Sequence, residues 1–471
     1  MNMDIGLKPV FLWTDILIWL LVVVAILGAR YSARQPHLRR PWQRVMRSPM
    51  AMGSALILLL FLLVALLDSL HYRPALDGRG ADGEVHYAVE VRSVLDDLLR
   101  PIQAANEKTY SAPLAAQGLV REFVGEGVSA RRDYPRLAHG GAHLDDPNQR
   151  HADVLQRSEQ GAYAGVFVWL IIAVVWWVWS RRGRARTQPD SAELRASRRV
   201  YQGVLAVALI LCVVGGIGFM LASSYHVFGT DKVGQDVLYQ AIKGVRTGLV
   251  IGTLTTLVML PFAIVLGVAA GYFRGWVDDV IQYVYTTLNS IPGVLLIAAA
   301  VLLIQVYIDQ NPQLFETTAE RADLRLLFLC LILGVTSWTG LCRLLRGETL
   351  KLRELEYITA AQSFGVSSTR ILSRHILPNV LHVVLITVVL DFSGLVLAEA
   401  VLSYVGVGVD PAMISWGNMI NAARLEMARE PVVWWTLAAA FLFMFALVLA
   451  ANLFSDVVRA AFDPRLQRQG E

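Results

Sequence analysis

Charge is scarce along this chain: Lys, Arg, Asp and Glu supply only 17% of its 471 residues, against about 25% in ordinary soluble domains. With 55% hydrophobic residues, that shortage excludes a water-soluble body and assigns the chain to a membrane. Cysteine is scarcer still. Cys212, Cys330 and Cys342 each fall in an apolar run, which excludes a disulfide framework or a CxxC metal site and leaves them as small packing residues. No GxxxxGK[ST] loop occurs, so the chain lacks the phosphate cradle with which such a motif would hold ATP. A Gly-x-Ser-x-Gly elbow and an HExxH helix are missing too, and the expectation is a non-catalytic protein. The net charge of +4 comes mainly from arginines beside apolar runs. It bears on orientation in a membrane, not on nucleic-acid binding.

What is abundant is long apolar sequence. A helix crosses a hydrocarbon layer of about 30 Å with about 20 residues. Nine segments meet that length, at approximately 11–29, 50–68, 162–180, 201–222, 246–270, 283–307, 325–345, 380–402 and 432–456. Backbone groups in lipid find no water to bond, and the runs are too continuous for barrel strands, so all nine are expected to be helices. The fold class is therefore all-α, a polytopic membrane helix bundle. Arg30, Arg34, Arg39, Arg40, Arg44 and Arg47 follow the first run instead of preceding it, which points to a retained anchor over a cleaved signal.

Basic loops resist translocation. Segments 30–49, 181–200 and 346–379 are the basic ones, so they are expected on the cytoplasmic side of a bacterial inner membrane. The N-terminus is then periplasmic and the C-terminus cytoplasmic. Residues 69–161 would form an external insertion, read as small and helical from the periodicity of Val91–Ala105 and, more weakly, Pro113–Phe123. Its tail, His139 to Asp146 with His151, has metal-ligand residue types. Its glycines prevent a helix from presenting two histidines on one face, so a solvated loop is expected and no metal.

Residues 353–379 read as a helix, a stop at Gly365, a second helix capped by Ser367-Ser368-Thr369, and a break at Pro378 where the next span begins. Thr359, Ala360 and Ala361 are small enough for close approach to another surface, which suits docking into a partner's groove.

The pattern Ala360-Ala361, three residues, Gly365, and then Leu377-Pro378 resembles the cytoplasmic coupling loop of binding-protein-dependent ABC importer permeases. Thr359 stands where that family usually has Glu. Phe228-Gly229-Thr230-Asp231 with Gly234 and Asp236, then Gly244, Arg246 and Leu249, resembles the external signature of the dipeptide/oligopeptide/nickel subfamily, with Gln235 where Arg is usual. Gly271-Tyr272, Asp278, Ser290-Ile291-Pro292, Glu399 to Gly408, Ser415-Trp416-Gly417, Asn452, Asp456, Arg459 and Asp463-Pro464-Arg465 extend the likeness in order over about half the chain.

The resemblance implies a second-permease, C-type subunit whose six-span core works by alternating access. Its partners would be a homologous permease in a heterodimer, two ATPase subunits that hold ATP and Mg, and a periplasmic solute-binding protein. It also implies that Tyr357, Thr359, Ala360, Ala361, Gly365, Leu377 and Pro378 meet the ATPase. In the family a single span precedes the Phe-Gly-Thr-Asp segment. The expected organisation is therefore an extra span with its basic loop (1–49), the first core span (50–68), the insertion (69–161), two added spans (162–222) and the rest of the core (223–471).

Ionisable residues inside spans are costly and usually face a cavity or partner. Asp391 and Glu399, on one span, are candidates for the pathway or a gate, as is Pro292, which permits a kink along with Pro261. Asp15 is expected at the membrane interface, and the Trp176, Trp177, Trp179 and Trp434, Trp435 runs in interfacial belts. The competing expectations are a membrane sensor or scaffold that uses the insertion to bind a ligand, and a proton-coupled carrier using Asp391 and Glu399.

Overall fold

The computed structural model describes residues 7–79, 85–124, 131–184, 191–315 and 317–462. Asp463, Pro464 and Arg465 lie outside them. Among the described residues nine helical segments are long and apolar enough to span a membrane, as many as the apolar runs. In chain order the elements begin with strand β1 (Leu7–Val10) and helices α1 (Trp13–Arg34), α2 (Pro36–Met46) and α3 (Pro49–Asp68). The segment between α3 and the next span carries β2 (His71–Arg79), β3 (Val85–Tyr87), β4 (Arg92–Ser93), α4 (Val94–Leu98), α5 (Arg100–Gln103), β5 (Glu122–Val124) and β6 (Arg131–Asp133). There follow α6 (Arg150–Arg184), α7 (Ser191–Ala222), α8 (Val237–Phe273), α9 (Trp276–Ser290), α10 (Gly293–Gln310), α11 (Thr318–Ser337) and α12 (Thr339–Arg353). The chain ends with α13 (Glu356–Ser363), α14 (Ser368–Ile371), α15 (Leu377–Val405), α16 (Trp416–Glu426) and α17 (Trp435–Phe462).

The organising element is α8, buried on most of its circumference, as expected of a helix surrounded by others. It packs against α3, α11, α12, α15 and α17. Two apolar clusters grip its ends. Trp416, Trp435, Val237 and Ala241 gather at one, and Trp338, Leu345, Tyr272 and Ile358 at the other. Pro261 lies inside α8 without ending it.

Helices α6 and α7 form a hairpin. A side chain at Gly161 would meet the Gly216 carbonyl at 2.6 Å, and one at Gly165 would strike the backbone of Cys212. Small residues let the two backbones touch, and in lipid such close packing carries helix association. The hairpin leans on α3, where Gly53 accommodates Val207 and Gly203 accommodates Pro49.

Three expectations need correction. The 283–307 run is not one helix: α9 ends at Ser290 and α10 starts at Gly293, so Pro292 lies at the N-terminal boundary of a span and not within it. Proline suits that boundary because its missing N–H costs no intrahelical bond there. The insertion is mixed, not helical. Two short helices do occupy Val94–Gln103, but Pro113–Phe123 has no helix and runs into β5. Strand β2 pairs antiparallel with β1, Leu7 opposite Pro74 and Val10 opposite His71, so a partner from before the first span builds the sheet. Finally, Trp435 is buried and donates its indole N–H to the Thr230 carbonyl at 2.9 Å, whereas Trp434 remains exposed.

Candidate functional site

The elbow after α12 is held by its own chemistry. Arg346 forks onto Asp278 of α9 with two bonds of 2.6 Å, and that pairing holds the Asp278 carboxyl below its usual range. Arg353 donates to the Tyr272 carbonyl at 2.6 Å. Arg274 pairs with Glu354. Helix α13 then turns Ile358 wholly inward, beside buried Ile371 and Ile376.

Its end is a Schellman turn: Val366 N–H donates to Ala361 O at 3.1 Å and Gly365 N–H to Gln362 O at 3.0 Å. That turn requires Gly365 at φ +73. Tyr357, Thr359, Ala360 and Phe364 face outward, Phe364 at 87% exposure. Ala361 turns partly inward onto the Ile358 cluster. The Thr359 hydroxyl is spent on the Glu356 carbonyl at 2.9 Å. Leu377 and Pro378 are exposed in the first turn of α15. Here the expected break is absent. A π turn over Leu372–Ile376 joins α14 to α15, and the wider turn accommodates a proline that an α-helix would resist.

The Phe-Gly-Thr-Asp segment is a folded loop that opens α8. Gly229, at φ +67, has no room for a side chain against Ser111. The Thr230 hydroxyl accepts from Ser111 N at 2.7 Å. Asp231 accepts from the backbone of Val233 and Gln235, both at 2.9 Å, and from the Gln240 amide at 2.7 Å. Asp236 caps α8 through Leu238 N at 2.8 Å and Tyr239 N at 3.1 Å. Its other oxygen meets His226 Nδ1 at 2.8 Å, and His226 Nε2 lies 3.4 Å from Glu107 of the insertion.

Glu107 also accepts backbone N–H groups of Ala138, His139 and Gly140 at 2.8–3.0 Å. The insertion is thus clamped to the core by two buried carboxylates around one imidazole. The expected solvated tail is partly packed as well: Gly140 and Gly141 are buried, and His143 pairs with Asp153 at 2.8 Å. Among the described residues no three His, Cys, Asp or Glu converge as metal ligands would.

Burial alone would lower the His226 pKa, but its bonds to Asp236 and Glu107 outweigh that and push it up from 6.5 to about 9. Burial alone would raise Glu107, yet the bond from His226 and the three backbone donors pull it down from 4.5 to about 2. The contribution of a raised histidine is complete below pH 6.5 and vanishes as pH climbs through about 9. That of a depressed carboxylate is complete above pH 4.5 and vanishes as pH falls through about 2. Protection of residues 85–124 from protease should therefore be greatest between pH 4.5 and 6.5 and decline towards pH 9. A His226→Gln variant should lose that alkaline decline; if its profile matches the parent, the clamp is not the titrating unit.

On α15 the two acidic candidates part company. Eight residues at about 100° each leave them roughly 80° apart on the helix. Glu399, 2% exposed, accepts from Ser403 Oγ at 2.7 Å and Ser415 Oγ at 3.1 Å, tying α15 to the start of α16. Asp391 is half-buried and has neither hydrogen bond nor ion pair among the described residues.

One cluster escaped the reading of the sequence. Arg246 of α8, 4% exposed, meets Asp15 of α1 at 2.6 Å and Asp323 of α11 at 3.4 Å. Asp15, expected at the interface, is buried and also contacts His71 at 2.7 Å. Asp323 receives the Thr14 backbone N–H at 3.1 Å, capping α1 from another helix where Leu12 offers no cap of its own. The available signal was three opposed charges, each near one end of an apolar run.

The family described as binding-protein-dependent transport system inner membrane component matches residues 263–468. The oligopeptide transport system permease protein of Mycobacterium tuberculosis is 33% identical over 239 residues, which is 51% of this chain and 76% of that protein. The glutathione transport system permease protein of Pectobacterium atrosepticum is 30% identical over 313 residues, 66% of this chain and 89% of that protein. The dipeptide transport system permease protein of Bacillus subtilis is 28% identical over 246 residues, 52% of this chain and 71% of that protein. With its spanning helices gathered around α8 and these identities over most of each relative's length, the chain belongs to the family of binding-protein-dependent transport system inner membrane components.

Proposed function

We propose that this chain is one of two homologous permease subunits forming the channel of an ATP-driven importer of di- or oligopeptides or related small solutes. The cargo class follows the printed names of its relatives. The observation that carries the reading is α13, anchored through buried Ile358 and uncovered at Tyr357, Thr359, Ala360 and Phe364. A rigid, exposed helix tip of this kind suits insertion into a groove of an ATPase subunit.

In this reading the elbow lies in the cytoplasm with the C-terminus, and the N-terminus and residues 69–161 lie in the periplasm. Two ATPase subunits hold ATP and Mg, and a solute-binding protein delivers cargo to the periplasmic face. Movement of α13 would pass through Arg353 to α8 and through Arg346 to α9, tilting the spans between outward-open and inward-open forms. Asp391 lines the pathway, the Glu399 latch fixes its outer gate, and the α9–α10 break at Pro292 supplies a hinge.

The test is co-purification with the products of neighbouring genes, reconstitution into vesicles and uptake of a labelled tripeptide. Uptake should require ATP and loaded binding protein. Uptake driven by a pH gradient without ATP would replace this reading with a carrier, and ligand binding without uptake would replace it with a sensor.

A further inference from the structure

We infer that Asp391 is the counter-charge for a cation on the cargo, the free α-ammonium of a peptide, bound at the middle of the membrane on the open flank of α15. The inference rests on the import reading above. Asp391 is the central residue of Leu377–Val405, about 21 Å of helix from either end, so its short side chain cannot reach interfacial water.

The buried carboxylates in or bordering the spans are engaged, whereas Asp456 of α17 and Glu159 of α6 are exposed. Asp15 and Asp323 hold Arg246. Asp68 accepts from Ser93 Oγ at 2.7 Å and lies 3.5 Å from Lys243. Glu399 takes two serine hydroxyls. Asp391 has no such partner among the described residues.

Several cations on the same helices are committed elsewhere, and among the described residues none pairs with Asp391. Arg246 is held as described, Lys243 pairs with Asp96, Arg325 with Asp410, and Arg346 with Asp278. The described residues thus leave the Asp391 carboxylate open to a cation from outside the chain.

The setting of the residue favours a transient partner over a fixed one. Its neighbours divide into a packed and an open flank. Ser393 bonds Asn452 at 2.7 Å, and Val396 and Ala400 enter the core. Leu390, Gly394 and Leu397 are exposed. A side chain added at Gly394, one turn beyond Asp391, would meet nothing within 4 Å, so there is room beside the carboxylate. A carboxylate turned to lipid costs several kcal/mol, which makes this flank a place for water and a cation. The ion pairs at Asp15 and Asp278 come with a further hydrogen bond to the carboxylate, from His71 and from Gln282. Asp391 has none, which is what a group that repeatedly binds and releases its partner requires.

The experiment uses the reconstituted complex with wild type, Asp391→Asn and Asp391→Glu. Two tripeptides with uncharged side chains are compared, one with a free N-terminus and one N-acetylated. A charge-assisted hydrogen bond to the ammonium predicts that the Asn variant raises KM for the free peptide at least about tenfold. The acetylated peptide is handled as by wild type, and Glu restores the preference for the free amine. Equal loss for both peptides, or failure of the Asn variant to assemble on size exclusion, would make Asp391 a subunit contact and overturn the inference. Unchanged kinetics would overturn it as well. Wild-type vesicles that take up neither peptide would remove the import reading, and this inference with it.

Discussion

Replacing Arg246 with methionine should detach the first membrane helix from the rest of the protein. The guanidinium reaches Asp15 Oδ1 through both Nε, at 3.1 Å, and Nη2, at 2.6 Å, and donates to Thr14 Oγ1 at 2.8 Å. Without it, two carboxylates that are 3% and 0% exposed face each other across the α1–α11 contact, with His71 beside Asp15 and the Thr14 N–H beside Asp323. Removing one member of a buried ionic group costs about 3–5 kcal/mol, because the charges left behind are uncompensated. That is a large share of the roughly 5–15 kcal/mol by which proteins are stable.

The expected readouts are a lowered unfolding temperature in detergent and loss of a disulfide cross-link engineered between Ile18 and Leu329, which share one apolar cluster. The triple variant Arg246→Met, Asp15→Asn, Asp323→Asn should recover much of the loss, since all the charges leave together. Arg246→Lys should fall between, keeping the charge without the fork that serves Asp15 and Thr14 at once. A single Arg246→Met variant within 1 kcal/mol of the parent would mean that α1 is held by apolar packing alone.

The same cluster marks the limit of what the sequence made legible. Spanning helices are written in uninterrupted apolar runs, and composition alone locates them. Their interruptions at Ile291–Pro292 and Trp338 are less visible, because the residues on both sides stay apolar and only packing decides where one axis ends. The insertion was misjudged for a different reason. Strand β2 pairs with nearby β3 and β4 and also with Leu7–Val10, some sixty residues earlier, and no local periodicity encodes a partner that distant.

Within the elbow the Gly365 stop was readable, since a left-handed C-terminal residue is a local requirement. Pro378 misled because the π turn before it is a compromise between two helices, not a property of either. Asp391 and Glu399 look alike in sequence. What separates them is the rotation of one helix against its neighbours, which turns one carboxylate into a serine cage and leaves the other on the open flank.

Gly365→Val should leave the protein folded and inserted while reducing uptake at least about tenfold, the result of about 1.4 kcal/mol lost from productive coupling. The local cost is conformational. No atom lies within 4 Å of a side chain added there, but φ is +73, and a non-glycine residue in that region costs about 1–2 kcal/mol, with β-branched residues the worst placed. The turn touches the core only through partly buried Ala361 and Val366, while Ile358, Ile371 and Ile376 are wholly buried apart from it. The strain is instead relieved by unwinding the exposed end of α13 and displacing Phe364 and Ala360, the surface that the proposed function assigns to an ATPase. Gly365→Asn separates the two possible causes, since asparagine tolerates left-handed backbone. If Asn retains uptake and ATPase capture while Val loses both, the geometry of the turn is what the partner reads. If Asn fails as completely as Val, the partner's groove has no room for any side chain at that point. If Val transports normally, α13 is not the coupling element and the importer reading loses its main support.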